Sequence, residues 1–153
     1  MKRLLCLVLV LLMAVTGAAA EMAPDDEIIA ESNVEGRLYQ LVKVEMSSDM
    51  NGDPMLLLTF QFTNRYEKPT RFHNAMFLDA WQAGKTCDIV LDGVGIPEGE
   101  YGTEVDVGAT KLFHVGVALL DTETPIDFEL RGYDAPYQRW SMKPDDIPKY
   151  IPE

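Results

Sequence analysis

Asn51-Gly52 is the strongest turn signal in this chain, and a strand-like run lies on either side of it. Residues 37–46 read RLYQLVKVEM, where Leu38, Leu41 or Val42, and Val44 alternate imperfectly with polar positions. Residues 55–64 read MLLLTFQFTN; Leu58, Phe60 and Phe62 alternate with Thr59, Gln61 and Thr63, after a start that is apolar without interruption. A period of two sends alternate side chains to opposite faces, so one face of each run is buried. An Asn-Gly pair supplies the positive-φ residues that a tight antiparallel turn requires. Such a hairpin commits the chain to a β-sheet, and the remaining residues must complete it.

They read in the same way. AMFLDAWQ (75–82) and KTCDIVL (85–91) are predicted strands joined through Ala83-Gly84. Residues 92–102, DGVGIPEGEYG, hold too many glycines for the interior of an element. A short strand is expected over 104–107, a long one over 111–120 after the turn at Gly108-Ala109, and a last one in IDFELRGY (126–133), where Ile126, Phe128 and Leu130 share a face. No amphipathic helix competes. The pattern predicts an all-β fold, a single antiparallel Ig-like β-sandwich of about six to eight strands over residues 36–133. The paired cysteines of antibody domains are absent.

The ends have other characters. Lys2 and Arg3 precede an apolar run, residues 4–15, and then Gly17 and the small residues Ala18, Ala19 and Ala20. This order predicts a signal peptide over residues 1–20, cleaved between Ala20 and Glu21. The run is shorter than the roughly 20 residues of a membrane span. Cys6 lies within it, too early for lipid attachment at a mature N-terminus. The expected product is therefore secreted, extracellular or in the cell envelope, with no stable membrane anchor. Residues 21–35 read as a flexible acidic lead-in with a short pairing at Ile28-Ile29, and residues 134–153, with four prolines, as an extended and irregular tail.

Removing the signal leaves about 130 residues, the size of one domain. The formal charge of −12 gives no basic footprint for a phosphate backbone, so no nucleic-acid partner is expected. Beyond residue 20 there is one cysteine, Cys87, and hence no internal disulfide. The fold must rest on its apolar core.

Three segments, LTFQFTN (58–64), FLDAWQAGKTC (77–87) and VDVGATKLFHVGVALLDTETPIDFEL (105–130), carry a resemblance. In this order they resemble uncharacterised secreted bacterial domains with an Ig-like sandwich. These include domain-of-unknown-function families of Gram-positive bacteria, and are similar in fold to the immunoprotective extracellular antigens. Where such families carry a proline before the glycine turn, this chain has Val107. The resemblance spans residues 36–133 and implies a fold and an exported location. It transfers no catalytic residue.

Candidate chemistry is sparse. A nucleophilic Cys87 needs a base, and His73 and His114 are the histidines available. With no helix N-terminus or protease signature beside it, Cys87 reads as a buried strand residue. Two histidines and one cysteine lack zinc-ligand spacing. Asp49, Asn51 and Asp53 open like a calcium loop, but Pro54 and Phe60 stand where that loop needs glycine and glutamate. Neither a metal nor another cofactor is expected. Glu98, Glu100 and Glu104 form an acidic loop that a hydrolase would use as paired carboxylates. Residues 93–99, GVGIPEG, lack the strand–helix setting of a nucleotide loop. Tyr133, Tyr137, Arg139, Trp140 and Tyr150 cluster in the tail, either as an interaction surface or folded back over the edge of the sheets. The expected function is an exported, non-catalytic interaction module for a protein or cell-envelope component. A secreted hydrolase using the acidic loop, and an assembly protein pairing through an edge strand or the tail, are the alternatives.

Overall fold

The computed structural model describes residues 28–132 and 138–152. The hairpin around Asn51-Gly52 forms, but not through a two-residue turn: residues 49–53 join the strands, and of the Asn-Gly pair only Gly52, at φ +89°, takes a positive φ. β2 (Arg37–Ser48) and β3 (Pro54–Asn64) pair antiparallel from Arg37↔Asn64 to Ser48↔Pro54, with one irregularity between Leu41 and Lys43. The turn is held by Asp49, whose carboxylate accepts the Asn51 N–H at 2.8 Å and the Asp53 N–H at 2.9 Å. These donors hold the Asp49 carboxyl below the ordinary carboxylate range.

The lead-in is shorter than expected. Residues 30–34 form β1 (Ala30–Val34), antiparallel to β2, and the Ile29 N–H reaches the Leu41 carbonyl. Its inward residues, Ala30, Ser32 and Val34, are small. They make a weak apolar signal, and the pairing expected at Ile28-Ile29 lies at the start of this strand.

Next come β4 (Thr70–Arg71), β5 (Met76–Gln82), β6 (Lys85–Thr86), β7 (Ile89–Val90), β8 (Glu104–Val105), β9 (Thr110–Ala118), β10 (Ile126–Gly132) and β11 (Gln138–Met142). The expected single strand over 85–91 is two. β6 pairs with β5 and β7 with β9, in different sheets. The crossing lies between Cys87, whose N–H bonds Ala80 O, and Asp88, whose carbonyl accepts from Ala118. The tail is not irregular throughout either. Between Pro136 and Pro144 the chain carries no proline, and β11 forms there on β10. Prolines flank this strand rather than interrupt it. Beyond it, Met46 on β2 donates to Pro148 O and accepts from the Tyr150 N–H.

The result is all-β. A five-stranded sheet has the order β1-β2-β3-β9-β7, a four-stranded sheet β11-β10-β5-β6, and β4 with β8 makes a third, small one. All of these pairings are antiparallel. The inward faces of the two larger sheets share one apolar cluster that includes Tyr39, Leu41, Leu58, Phe60, Phe62, Phe113, Ala80, Phe128 and Leu130. At its centre Phe72, from the 3-10 turn Phe72–Asn74, meets Tyr39, Phe60, Phe62, Phe113 and Tyr101, stacking on Phe113 at 4.8 Å.

The unbroken apolar start of β3 has a physical cause: it is buried on both faces. Leu56 and Leu58 join the shared core, while Met55 and Leu57 lie beneath the loop that follows β7. Gly95, at φ +92°, approaches so closely that a Cβ there would sit 2.6 Å from Leu57 Cδ2 and 3.0 Å from the Tyr150 ring. A side chain at this position would be excluded by both backbone conformation and space.

Candidate functional site

The outer face of the four-stranded sheet follows from its register. Ile126, Phe128 and Leu130 of β10 point inward, so Asp127, Glu129 and Arg131 point outward. Pairing sets Trp81 opposite Asp127, Asp79 opposite Glu129 and Phe77 opposite Arg131 on β5. On β11, Ser141 lies opposite Asp127, and Arg139 opposite Glu129. Arg139 meets the Glu129 carboxylate at 2.6 Å, and Arg131 meets Asp79 at 3.2 Å while lying 5.3 Å above the Phe77 ring. Exposed ion pairs of this kind add little stability. They hold long side chains in order across the face.

At one end of this face a shallow groove of about 560 Å³ is lined by Trp81, Asp127, Phe128, Arg139, Trp140 and Ser141. The Trp140 ring turns inward and stacks on Phe128 at 5.0 Å, 9° from parallel. Its Nε1 is buried without a hydrogen-bond partner among the described residues. The groove thus sets the half-buried Trp81 beside a carboxylate, a guanidinium and a hydroxyl on the outer face, with the inward Trp140 at its edge.

Of the five tail residues singled out from sequence, Arg139 and Trp140 meet here. Tyr150 does not: its ring packs against Leu57 beside Gly95, on the far side of the five-stranded sheet. Tyr133 and Tyr137 lie outside the described residues. Trp81, Asp127 and Ser141 were not singled out as site residues. Alternation alone puts Asp127 on the outer face of its strand. Its meeting with Trp81 depends on a register that no local pattern reveals.

The other candidates are tied to packing. Cys87 is 3% exposed within the core, and burial pushes its thiol above the ordinary value. Both histidines have partners of their own. The His73 ring stacks on Tyr101 at 4.8 Å, with Nδ1 3.2 Å from the Tyr101 carbonyl. His114 is held by Glu100, whose carboxylate accepts the His114 backbone N–H at 2.6 Å and lies 3.0 Å from Nδ1. Glu104 faces Arg71 at 3.6 Å. Glu98 is exposed in the loop. Gly93 and Gly95 lie against Met55 and Leu57, so the glycines of residues 93–99 serve close packing. The Asp49 carboxylate is occupied by the amides of its own turn. Among the described residues, no group of three or more His, Cys, Asp or Glu side chains is placed to hold a metal ion.

Two buried amides organise the ends of the sheets. Asn64 Nδ2 donates to Lys68 O and Val105 O, and its Oδ1 accepts from Tyr66. Gln82 Oε1 accepts the Leu120 N–H at 2.6 Å, while Nε2 donates to Thr124 O at 2.8 Å and Asp121 O at 3.1 Å. Both amides stand in the segments that carry the resemblance noted from sequence, and both satisfy loop backbone that would otherwise be buried without partners.

The chain matches no family model and no curated protein. It is similar to a solved structure, that of a Bacillus subtilis protein provisionally described as a lipoprotein, with a TM-score of 0.47 and 10% sequence identity over 76% of this chain and 39% of that one. This chain therefore spans well under half of that protein. Among the described residues, no helix is long and apolar enough to cross a membrane.

Proposed function

We propose that this protein is an exported, non-catalytic binding module, an Ig-like β-sandwich released by cleavage after Ala20, and that it holds a protein or cell-envelope component against the outer face of β5, β10 and β11. The observation that supports this reading is the groove beside Trp81, where that indole, Arg139 and Asp127 lie together on an exposed sheet face, with Trp140 turned inward at its edge. Tryptophan and arginine are the residues most enriched where binding energy concentrates. The hydrolase alternative has less support, because Glu100 is committed to His114 and Glu104 to Arg71.

The test is capture from the envelope and medium of the parent organism by immobilised residues 21–153. A Trp81→Ala, Arg139→Glu double variant should lose the captured component while keeping its melting temperature. Undiminished capture by that variant would exclude the face. N-terminal sequencing of the exported protein should begin at Glu21, and a chain still beginning at Met1 would refute cleavage.

A further inference from the structure

A second surface, away from this groove, lies at the other edge of the same sheet. β6 covers β5 only at Trp81 and Gln82 before the chain leaves for the other sheet. Ala80 O is bonded by Cys87 N, on the side of β5 away from β10. In an antiparallel strand the N–H and C=O of one residue point to the same side, and every second residue repeats that side. The backbone groups of Leu78 and Met76 therefore also point away from β10. Nothing among the described residues pairs with them.

Other edges carry protection that this stretch lacks. At β1 the Glu31 N–H donates to Gln138 Oε1, and at β9 the His114 N–H donates to Glu100. Residues 76–80 of β5, beyond the reach of β6, carry no proline and one charge, Asp79, which is already shared with Arg131. Open, apolar edges are templates for another strand. Beside this edge, in the gap between the sheets, a slot of about 310 Å³ is lined by Asp79 and by apolar residues that include Leu78, Ile89, Leu91, Tyr101 and Val115. Ile89 and Leu91 are 39% and 44% exposed, although Ile89 pairs with the buried, inward Val117.

We infer that the open edge of β5 receives an extended cationic peptide segment, which adds antiparallel to β5 in line with β6 and seats an apolar side chain in the slot. Main-chain hydrogen bonds with pockets for alternate side chains are the general form of strand addition. Charge selects the occupant. Asp88 and Asp92, both exposed, bracket Ile89 and Leu91 in the chain, and the protein carries a net charge of −12. A second copy of this chain would bring like acids together, whereas a lysine-flanked strand complements them.

The probe is a synthetic peptide of about seven residues, alternating valine and threonine with a lysine at each end, titrated into residues 21–153 by calorimetry. Binding should protect the Met76 and Leu78 amides from hydrogen exchange. Ile89→Glu, at an already exposed position, should abolish binding without lowering the melting temperature. The glutamate-ended peptide should bind about tenfold more weakly, and Asp88→Asn with Asp92→Asn should remove that preference. Methylating alternate peptide nitrogens should also abolish binding. Equal affinity for the two peptides would overturn the charge argument, and binding without protection of β5 would overturn strand addition. No binding at millimolar peptide would sink the proposal, as would a concentration-dependent dimer that protects the same amides.

Discussion

The two long sides of the molecule are closed by different means. On one side β1 lies directly against β10: a Cβ at Gly132 would overlap Val34 Cγ2, and Gln138 of β11 accepts the Glu31 N–H. On the other, β5 and β9 belong to different sheets and do not pair. The gap is filled by side chains from loops, Phe72 and Tyr101, and tied by Gln82 at the end of β5 and by Glu100 against β9. The first closure depends on the absence of a side chain, the second on a few large or polar ones. A seam made by strand contact resists change through shape. A seam made by inserted side chains leaves a slot and an open edge.

If the plugged side depends on its central ring, Phe72→Ala should have the largest effect. Phe72 is fully buried and touches five other aromatic rings. Truncating a buried phenylalanine costs about 4 kcal/mol, the transfer term plus the cavity left behind. Urea unfolding with an unchanged slope would measure it. A loss below about 1 kcal/mol would mean that the plug is dispensable and the comparison drawn wrongly.

The strand-contact side is tested by adding volume. Gly132→Val should cost about 3 kcal/mol, because the β-branched Val34 cannot swing its methyl aside. Val34→Ala should recover part of that loss in the double variant. Additive losses would show that the two residues are not in contact, since only neighbours couple.

How much of this was legible differs by element, for physical reasons. The β2–β3 hairpin was readable because Asn51-Gly52 and the alternation beside it are local. β10 was readable because Ile126, Phe128 and Leu130 alternate without a break. The switch between Cys87 and Asp88 was not, since strand-forming residues continue through it and only pairing partners distinguish the two halves. β1 was hidden by its small inward residues, and β11 by the prolines on either side. Of the candidate site, Arg139 and Trp140 stood out as tail residues, but Trp81 and Asp127 joined them through register alone. The continuous MLLL run stood out only as an uninterrupted apolar start; that both its faces are buried, the outer one beneath the glycine loop and Tyr150, is a tertiary fact.

Gln82 ties the plugged side together at the far end of β5, and Gln82→Leu should cost about 2 kcal/mol. It keeps the volume but orphans the Leu120 N–H and the Thr124 carbonyl, and buried groups left unsatisfied cost about 1–3 kcal/mol. Hydrogen exchange should localise the loss, with faster exchange at Leu120 and Asp121 and little change at the amides of β1. Uniform acceleration through both sheets would show instead that Gln82 supports the whole fold.

The smallest effect is expected at Glu100, and it separates hydrogen bonding from charge. Its carboxylate accepts a backbone N–H from β9 and approaches the same residue's ring, with the Glu100 side chain 16% exposed and that of His114 22%. Glu100→Gln retains an acceptor for the His114 N–H, so its cost should stay below about 1 kcal/mol. Glu100→Ala removes the acceptor and should cost more, about 1–2 kcal/mol, with faster exchange of the His114 amide. The ordering Ala worse than Gln is the test, read as two melting temperatures. Equal losses would assign the carboxylate's contribution to its charge beside His114. The reverse ordering would mean that the acid is strained where it sits, and that Tyr101 alone closes this side.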